Sequence, residues 1–233
     1  MKGDGICREF MKKGGITVME DEKEIIRRTE QMVKEKLESE GSGHDWWHIV
    51  RVVHNAQHIS KTETVDAWVV TMGALLHDVI DDKVVVDPDL ERANLESWLE
   101  NQGVSQYHID QILAIIDTIS FKHGFEALPS LEAEVVQDAD RLDAIGAVGI
   151  ARCFTYSGSK GSPIHDPNLF PRESMTPDQY RRGDSSAINH FYEKLLTLKD
   201  KMNTEEGYRI ACERHQFMEQ YLQQFFAEWD GFA

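Results

Sequence analysis

Apolar residues recur every three or four positions along most of the chain, the spacing of amphipathic helices. In residues 20–39 this stripe contains Ile25, Ile26, Met32, Val33 and Leu37, and it ends at a glycine-rich segment. Alternation typical of strands is nearly absent, and 84–86 is the one short candidate. The pattern therefore predicts an all-α protein. Its predicted helices span 20–39, 45–60, 66–82, 88–100, 105–120, 131–154, 185–201 and 204–229.

Three segments depart from this amphipathic pattern. Residues 66–82 are almost wholly apolar as far as His77, which predicts a central buried helix. Residues 156–184 are rich in glycine, proline and serine, and a loop of that length favours a functional lid. We expect residues 1–19 to be a loosely ordered leader. The rest, 20–233, is expected to be a single helical bundle, with a core at about 43–150, the lid at 156–184 and C-terminal helices at 185–230.

The charge balance narrows the classes of partner. The 233 residues include 25 Lys and Arg against 41 Asp and Glu, a formal net charge of −16. This argues against a protein that binds duplex nucleic acid, which normally carries a basic face. It suits a protein that collects cations, although an acidic surface also aids solubility. No apolar run approaches the roughly 18 residues of a membrane span, so we expect no membrane partner.

The number and spacing of the cysteines indicate whether the compartment is reducing or oxidising. There are three, Cys7, Cys153 and Cys212, and no pair has CxxC spacing. An odd number without paired spacing argues against a disulfide scaffold, and a reducing cytoplasm fits best. The N-terminal residues contain charges and glycine pairs without an apolar core, so they are not expected to be a secretory signal.

The strongest local chemical signal is His77-Asp78 at the end of the apolar helix. An unpaired charge buried there would cost several kcal/mol, and a metal ion would remove that cost. Imidazole and carboxylate together suit manganese, iron, cobalt, nickel or zinc better than calcium. A lone His-Asp pair is more often a simple helix end, where a protonated histidine is favoured. Asp81 and Asp82 follow one turn later, and this crowding of carboxylates strengthens the metal hypothesis.

Two further clusters carry candidate ligands. His44-Asp45-x-x-His48 has the histidine spacing of a zinc peptidase, so a peptidase built on His44 and His48 is one alternative. The second cluster surrounds Asp140. Asp138 and Asp140 project about 200° apart on a helix, so both cannot face one ion. Asp140 lies inside an apolar pattern, which makes it the better ligand candidate.

A histidine, a later His-Asp doublet and an aspartate in an Asp-Arg-Leu segment together resemble the HD superfamily of metal-dependent phosphohydrolases. The resemblance reaches from about 43 to 150 and implies four metal ligands: His48, His77, Asp78 and Asp140. The phrases at 43–55 and 137–146 and the final helices are similar to a bacterial subfamily typified by the YpgQ and YedJ proteins. Its members are implied to hydrolyse nucleoside triphosphates to the monophosphate and pyrophosphate.

Residues 77–82 also resemble the stringent-response alarmone hydrolases, where a Glu-Asp pair is implied to orient the attacking water. Asp81 stands in place of the glutamate. The asparagine implied two places after Leu142 is Ala144 here, so alarmone itself is a less favoured substrate.

These observations lead to a hypothesis about roles. One divalent transition metal is expected, with manganese favoured and iron, cobalt, nickel, zinc or magnesium left open. Asp81 or Asp82 would accept the proton of the attacking water, and Asp45 would orient a ligand histidine. Positively charged side chains must also bind the phosphate groups of the substrate. Any single candidate is more often a solvated surface charge. The candidates are Arg51, Lys122, Arg141, Lys160 and Arg172, with Arg181 and Arg182 also in the lid.

Two other functions stay open beside pyrophosphohydrolysis. A nucleotide phosphomonoesterase would share the metal site and release orthophosphate. A metal- or nucleotide-sensing module would bind without turnover, although Asp81 and Asp82 beside the ligands speak modestly against it. In each case the expected partner is a small anionic nucleotide, and a homodimer is left open.

Overall fold

The computed structural model describes residues 5–37, 45–81, 85–119, 128–172 and 185–232, with residues 5–20 as backbone alone. These ranges contain nine α-helices, two short 3-10 helices and no strand, so the all-α prediction is confirmed. The described helices are each too short or too polar to cross a lipid bilayer. The α-helices are α1 (Gly5–Leu37), α2 (Trp46–Ile59), α3 (Ala67–Leu76), α4 (Pro88–Asn101), α5 (Gln106–Ile119), α6 (Leu131–Asp143), α7 (Gly146–Ser159), α8 (Ala187–Glu193) and α9 (Glu205–Trp229).

Helix α3 forms the centre of the bundle. Every residue from Val69 to Leu76 is buried, and α1, α2, α5 and α6 pack around this helix. Gly73 lets α5 approach closely, because a Cβ there would lie 3.0 Å from Cγ2 of Ile115. The prediction of a central buried helix is therefore confirmed. Two of its neighbours, α2 and α6, also pack against each other.

Several helix boundaries differ from the predicted ones. Helix α3 ends at Leu76, and residues 77–80 form turns, whereas the pattern predicted a helix as far as 82. The predicted helix 131–154 is divided into α6 and α7 at Gly146, whose φ of 75° a glycine adopts readily. The predicted helix 185–201 is α8 followed by the 3-10 helices Leu195–Thr197 and Lys199–Lys201.

Two segments at the edges of the bundle also need correction. Helix α1 begins at Gly5, so the leader boundary at residue 19 does not mark the start of a helix. Helix α7 continues to Ser159, so the irregular part of the predicted lid starts later than 156. Its remaining residues 173–184 lie outside the described ranges. Val85 and Val86 are not in a strand, and Val84 is outside the described residues.

The described part of the lid is docked along α8 and α9. The carbonyl oxygens of Pro163 and Ile164 accept hydrogen bonds of 3.0 Å from the backbone N–H groups of Ala187 and Ile188. The ring of His165 meets Trp229 edge-on, with centroids 4.9 Å apart. This segment is therefore held by backbone bonds and an aromatic contact.

Asp138 joins α6 to the start of α9. Its side chain is fully buried and accepts hydrogen bonds from the backbone N–H groups of Asn203 and Thr204, at 2.9 and 2.8 Å, and from the Thr204 hydroxyl at 2.8 Å. The positive end of the α9 helix dipole also stabilises a negatively charged carboxylate at this place. Asp138 thus points away from Asp140, as their spacing predicts, and fixes the C-terminal helix.

Replacing Asp138 by alanine should therefore destabilise the whole bundle. The change leaves several buried donors without an acceptor, and we expect a loss of about 3 kcal/mol in the free energy of unfolding. Urea denaturation followed by circular dichroism would measure it. Asp200→Ala is the control, because Asp200 is exposed and 4.0 Å from Lys199, an arrangement worth under about 1 kcal/mol. Equal unfolding midpoints for the two variants would contradict this role.

Candidate metal centre

Three parts of the fold deliver side chains to one point. His48 lies in the first turn of α2, which begins where the Asp45 carboxylate caps the helix by accepting from the His48 backbone N–H at 2.8 Å. His77 and Asp78 lie in the turn that follows α3. Asp140 lies in the last turn of α6. Because α2, α3 and α6 pack on one another, these ends meet although they are distant in sequence.

The four side chains are in close contact. The Nε2 atoms of His48 and His77 lie 3.2 Å apart, and Oδ2 of Asp78 is 3.3 Å from the first and 3.4 Å from the second. Oδ1 of Asp140 is 3.4 Å from His48 Nε2 and 3.9 Å from His77 Nε2. The two histidines and Asp78 are buried, whereas the Asp140 side chain is 36% exposed. The cluster therefore opens to solvent on the Asp140 side.

In each imidazole, a hydrogen bond at Nδ1 on the outer side leaves Nε2 facing the cluster. Nδ1 of His48 is 2.7 Å from Oδ2 of Asp143, and Nδ1 of His77 is 2.8 Å from the carbonyl oxygen of Ala74. A carboxylate and a carbonyl only accept hydrogen bonds, so each Nδ1 carries the hydrogen. Both Nε2 lone pairs then face each other and the carboxylates of Asp78 and Asp140. Such a group of electron pairs is repulsive unless a proton or a metal cation lies among them.

The donor set fits a divalent transition metal. Two neutral imidazoles with a hydrogen bond on the far nitrogen, together with two carboxylates, are typical ligands of manganese, iron, cobalt, nickel or zinc. Among the described residues, His48, His77 and Asp78 also form a group whose ligand atoms all lie within 4.8 Å of one another. We conclude that this cluster can hold one divalent ion, with Asp140 at its open side.

Without a cation, the cluster retains a proton. Burial lowers the pKa of His48, but hydrogen bonds to Asp143 and Asp78 and the charge of Asp140 outweigh it and raise that pKa to about 9. Asp143 responds in the opposite direction. Burial raises its pKa, yet hydrogen bonds from His48 and Arg51 and the charge of Arg152 hold it well below its usual range.

The structure places the remaining predicted catalytic residues as follows. The Asp45 carboxylate accepts from the backbone N–H of His48, and its role in orienting a ligand histidine stays a prediction. Asp81 lies half-buried one turn after Asp78, and its backbone N–H donates to the Asp78 carbonyl oxygen at 3.2 Å. Asp82 lies outside the described residues, as does His44.

Three of the seven predicted phosphate-binding cations have protein partners, and Arg181 and Arg182 lie outside the described residues. Arg51 forms a bidentate pair with Asp143, at 2.6 and 3.0 Å. Arg141 donates to the Lys201 carbonyl oxygen, and Arg172 pairs with Glu193 at 2.8 Å. The three guanidinium groups are thus bonded to protein groups, and their contact with phosphate stays a prediction. Lys160 is exposed and lies 5.6 Å from the ring centroid of Tyr156, whereas Lys122 is outside the described residues.

Two residues beside the cluster escaped prediction as part of the site. Asp143 contacts the ring of His48, and Arg152 on α7 donates to Asp143 at 2.7 Å. Asp143 follows Asp140 by one helical turn, so the shared face of α6 was a signal for it. Arg152 gave no such signal, because the break between α6 and α7 was not predicted.

Comparisons with known proteins agree with this geometry. The model of the HD domain matches residues 46–145, the segment that contains all four clustered side chains. YpgQ of Bacillus subtilis (strain 168) is 39% identical over 206 residues, which cover 85% of this chain and 92% of YpgQ. The chain belongs to the HD family.

Solved structures show the same fold over nearly the whole chain. An HD-superfamily hydrolase from Bacillus thuringiensis has 40% identity and a TM-score of 0.74, covering 90% of this chain and 99% of its own. Bacillus subtilis YpgQ in complex with ADP has 38% identity and a TM-score of 0.73, covering 89% of this chain and all of its own. The predicted family is therefore confirmed, and this HD domain shares the architecture of a hydrolase superfamily.

Replacing His77 by alanine should remove the bound metal. The variant loses one of the two imidazoles, so we expect metal content after purification to fall from about one ion per chain to below about 0.1. Elemental analysis of the purified protein would measure it. His54→Ala is the matched control, because His54 is an exposed histidine on α2. An unchanged metal content in His77→Ala would contradict the site and favour a peptidase built on His44 and His48.

The metal-stripped protein should lose stability as the pH rises. The pKa of His48 in the folded chain, about 9, lies above the value of 6.5 for an exposed histidine, so protonation favours the folded state. This contribution is fully present below about pH 6.5 and is lost as the pH rises through 9, on the order of 1–3 kcal/mol in total. Urea unfolding with a chelator present would measure it. His48→Gln should lack the loss and His54→Gln should keep it, and a flat wild-type profile would contradict the assignment.

Proposed function

We propose that this protein is a metal-dependent pyrophosphohydrolase that cleaves a nucleoside triphosphate into the monophosphate and pyrophosphate. One observation supports this most strongly: two imidazole lone pairs and two carboxylates converge on one partly open point. The presence of ADP in the structure of the similar YpgQ supports a nucleotide as the ligand. The proposed ion is one divalent transition metal, with manganese favoured.

The four clustered side chains would hold the ion and leave positions open for water and substrate. A divalent ion bound there would lower the pKa of a water and polarise a phosphoryl oxygen. His48 and His77 contribute neutral nitrogen ligands, and Asp78 and Asp140 balance two positive charges. Because the Asp140 side is exposed, a phosphate group can approach the cluster from there.

Asp81 is the residue that we propose as the general base. The hydrogen bond from its backbone to Asp78 keeps it one turn from a metal ligand, and its side chain is half-buried. From that place in the chain its carboxylate could accept the proton of the attacking water as the bond to phosphorus forms. Asp82, its neighbour in sequence, stays a second candidate for the same role.

Phosphate recognition requires positive charge in a chain of net charge −16. Lys122 and Lys160 are the proposed contacts, since Arg51, Arg141 and Arg172 bind protein groups. Lys160 follows α7 directly and is exposed, so its ammonium group is accessible to a ligand. A net charge of −16 favours a small nucleotide over a nucleic-acid polymer.

The products of hydrolysis in ¹⁸O-labelled water test the proposal. Protein loaded with manganese should convert nucleoside triphosphates to monophosphate and pyrophosphate in equal amounts, because water attacks the α-phosphorus and pyrophosphate leaves. The label should therefore appear in the monophosphate, which mass spectrometry would detect. Release of orthophosphate would contradict this cleavage and favour a phosphomonoesterase. Tight nucleotide binding without any product would favour a sensing module.

Two variants distinguish the roles of metal and base in the same assay. His77→Ala should lose both metal and turnover. Asp81→Asn should keep the metal and lose about 10²–10⁴-fold in kcat, because the amide cannot accept a proton. Asp89→Asn is the control, since Asp89 is an exposed aspartate in the first turn of α4. Full turnover by Asp81→Asn with loss in Asp82→Asn would move the base to Asp82.

A further inference from the structure

Asp143 is the carboxylate beside the cluster that accepts the most hydrogen bonds, and its side chain is only 2% exposed. Its Oδ2 atom accepts from Nδ1 of His48 at 2.7 Å and from a terminal nitrogen of Arg152 at 2.7 Å. Arg51 donates to both oxygens, at 2.6 and 3.0 Å. One carboxylate on α6 thus receives an imidazole and a guanidinium group from α2 and a second guanidinium group from α7.

We propose that Asp143 is a positioning residue that fixes the His48 ring for metal binding, and that Arg51 and Arg152 hold Asp143 in place. The inference rests on the proposed metal site. Asp143 binds the far side of the imidazole, so its effect on the ion passes through the ring. The two arginines act one step further away. None of the three is proposed to touch the substrate.

The hydrogen bond to Asp143 determines both the tautomer and the orientation of His48. An acceptor at Nδ1 keeps the hydrogen there and leaves the Nε2 lone pair directed at Asp78, Asp140 and His77. Rotation of the ring would break the 2.7 Å bond and bring a buried C–H group against a carboxylate. A negatively charged acceptor also makes the ligand nitrogen more basic, which strengthens metal binding.

The bidentate pair with Arg51 fixes the plane of the carboxylate. A guanidinium fork bonded to both oxygens resists rotation of the Asp143 side chain, which a single bond would permit. Arg51 follows His48 by three residues on α2, so one helical turn supplies both the ligand and the group that orients its partner. Oδ2 can then face His48 and Arg152 together.

The turn between α6 and α7 brings Arg152 back to Asp143. Gly146 has a φ of 75°, and a Cβ on Gly149 would lie 2.2 Å from the carbonyl oxygen of Ala144. The chain can reverse this tightly because both positions lack a side chain. Arg152 then contacts both the Asp143 side chain, at 2.7 Å, and its carbonyl oxygen, at 3.2 Å. The two glycines therefore serve the metal centre through Arg152.

Asp138, on the same helix as Asp143, is a comparison residue whose role is structural. It is also buried, but its hydrogen bonds go to Asn203 and Thr204 at the start of α9. Both aspartates should matter for stability, and Asp143 alone should matter for the metal. This difference gives a matched control within α6.

Titration of the metal-stripped protein with Co²⁺ tests the proposal, because the visible absorption of the ion reports both affinity and coordination. We expect Asp143→Asn to bind Co²⁺ about 10–100-fold more weakly than wild type, with an altered spectrum. Arg152→Met should shift affinity in the same direction by a smaller factor. Asp138→Asn and Arg92→Met should keep the wild-type affinity and spectrum, since Arg92 pairs with Asp117 away from the cluster.

The position of the imidazole hydrogen gives a readout that a merely structural role would not move. In ¹⁵N-histidine-labelled protein with zinc bound, wild type and Asp138→Asn should show the hydrogen of His48 on Nδ1 and zinc on Nε2. Asp143→Asn should show a second population, in which the ring is turned so that zinc is bound through Nδ1 and Nε2 carries the hydrogen. Wild-type Co²⁺ affinity and tautomer in a folded Asp143→Asn would overturn the positioning role while leaving the metal site intact. If that variant does not fold, unchanged Co²⁺ binding in Arg152→Met overturns it. Wild-type protein that binds no Co²⁺ would overturn the proposed function as well.

Discussion

Electron pairs that face one another inside the bundle are the constraint on which the centre depends. Nε2 of His48 lies within 3.4 Å of Nε2 of His77 and of carboxylate oxygens of Asp78 and Asp140. When both imidazoles are neutral, each Nδ1 carries the hydrogen and none lies between these atoms. Their repulsion is relieved either by a proton, as the raised pKa of His48 indicates, or by a divalent cation. The arrangement is thus a site that selects for positive charge.

The fold maintains this arrangement through contacts that hold His48 and His77 on the side away from the cluster. Asp45 sets the first turn of α2, the Ala74 carbonyl oxygen holds the ring of His77, and Asp143 holds the ring of His48. The ligands come from the ends of three helices whose sides form the core, so packing of apolar faces places them without strain in the described backbone. Rigid supporting contacts of this kind are what a metal centre needs to keep its ligands in register.

Sequence reasoning identified the helical architecture and the four clustered residues, because apolar spacing and the histidine and aspartate motifs are local signals. It also separated Asp140 from Asp138 by their angular difference on one helix, which the structure confirms. The partners of Arg51 and Arg152 could not be found in this way. They depend on the approach of α2, α6 and α7, and on a reversal at Gly146 that apolar spacing does not encode.

A crystal structure of the manganese-loaded protein, with anomalous scattering recorded at the manganese edge, tests the central claim most directly. The account predicts one strong anomalous peak within bonding distance of Nε2 of His48, Nε2 of His77 and a carboxylate oxygen of each of Asp78 and Asp140. A peak bound elsewhere, or an Asp140 side chain turned away from the ion, would contradict it.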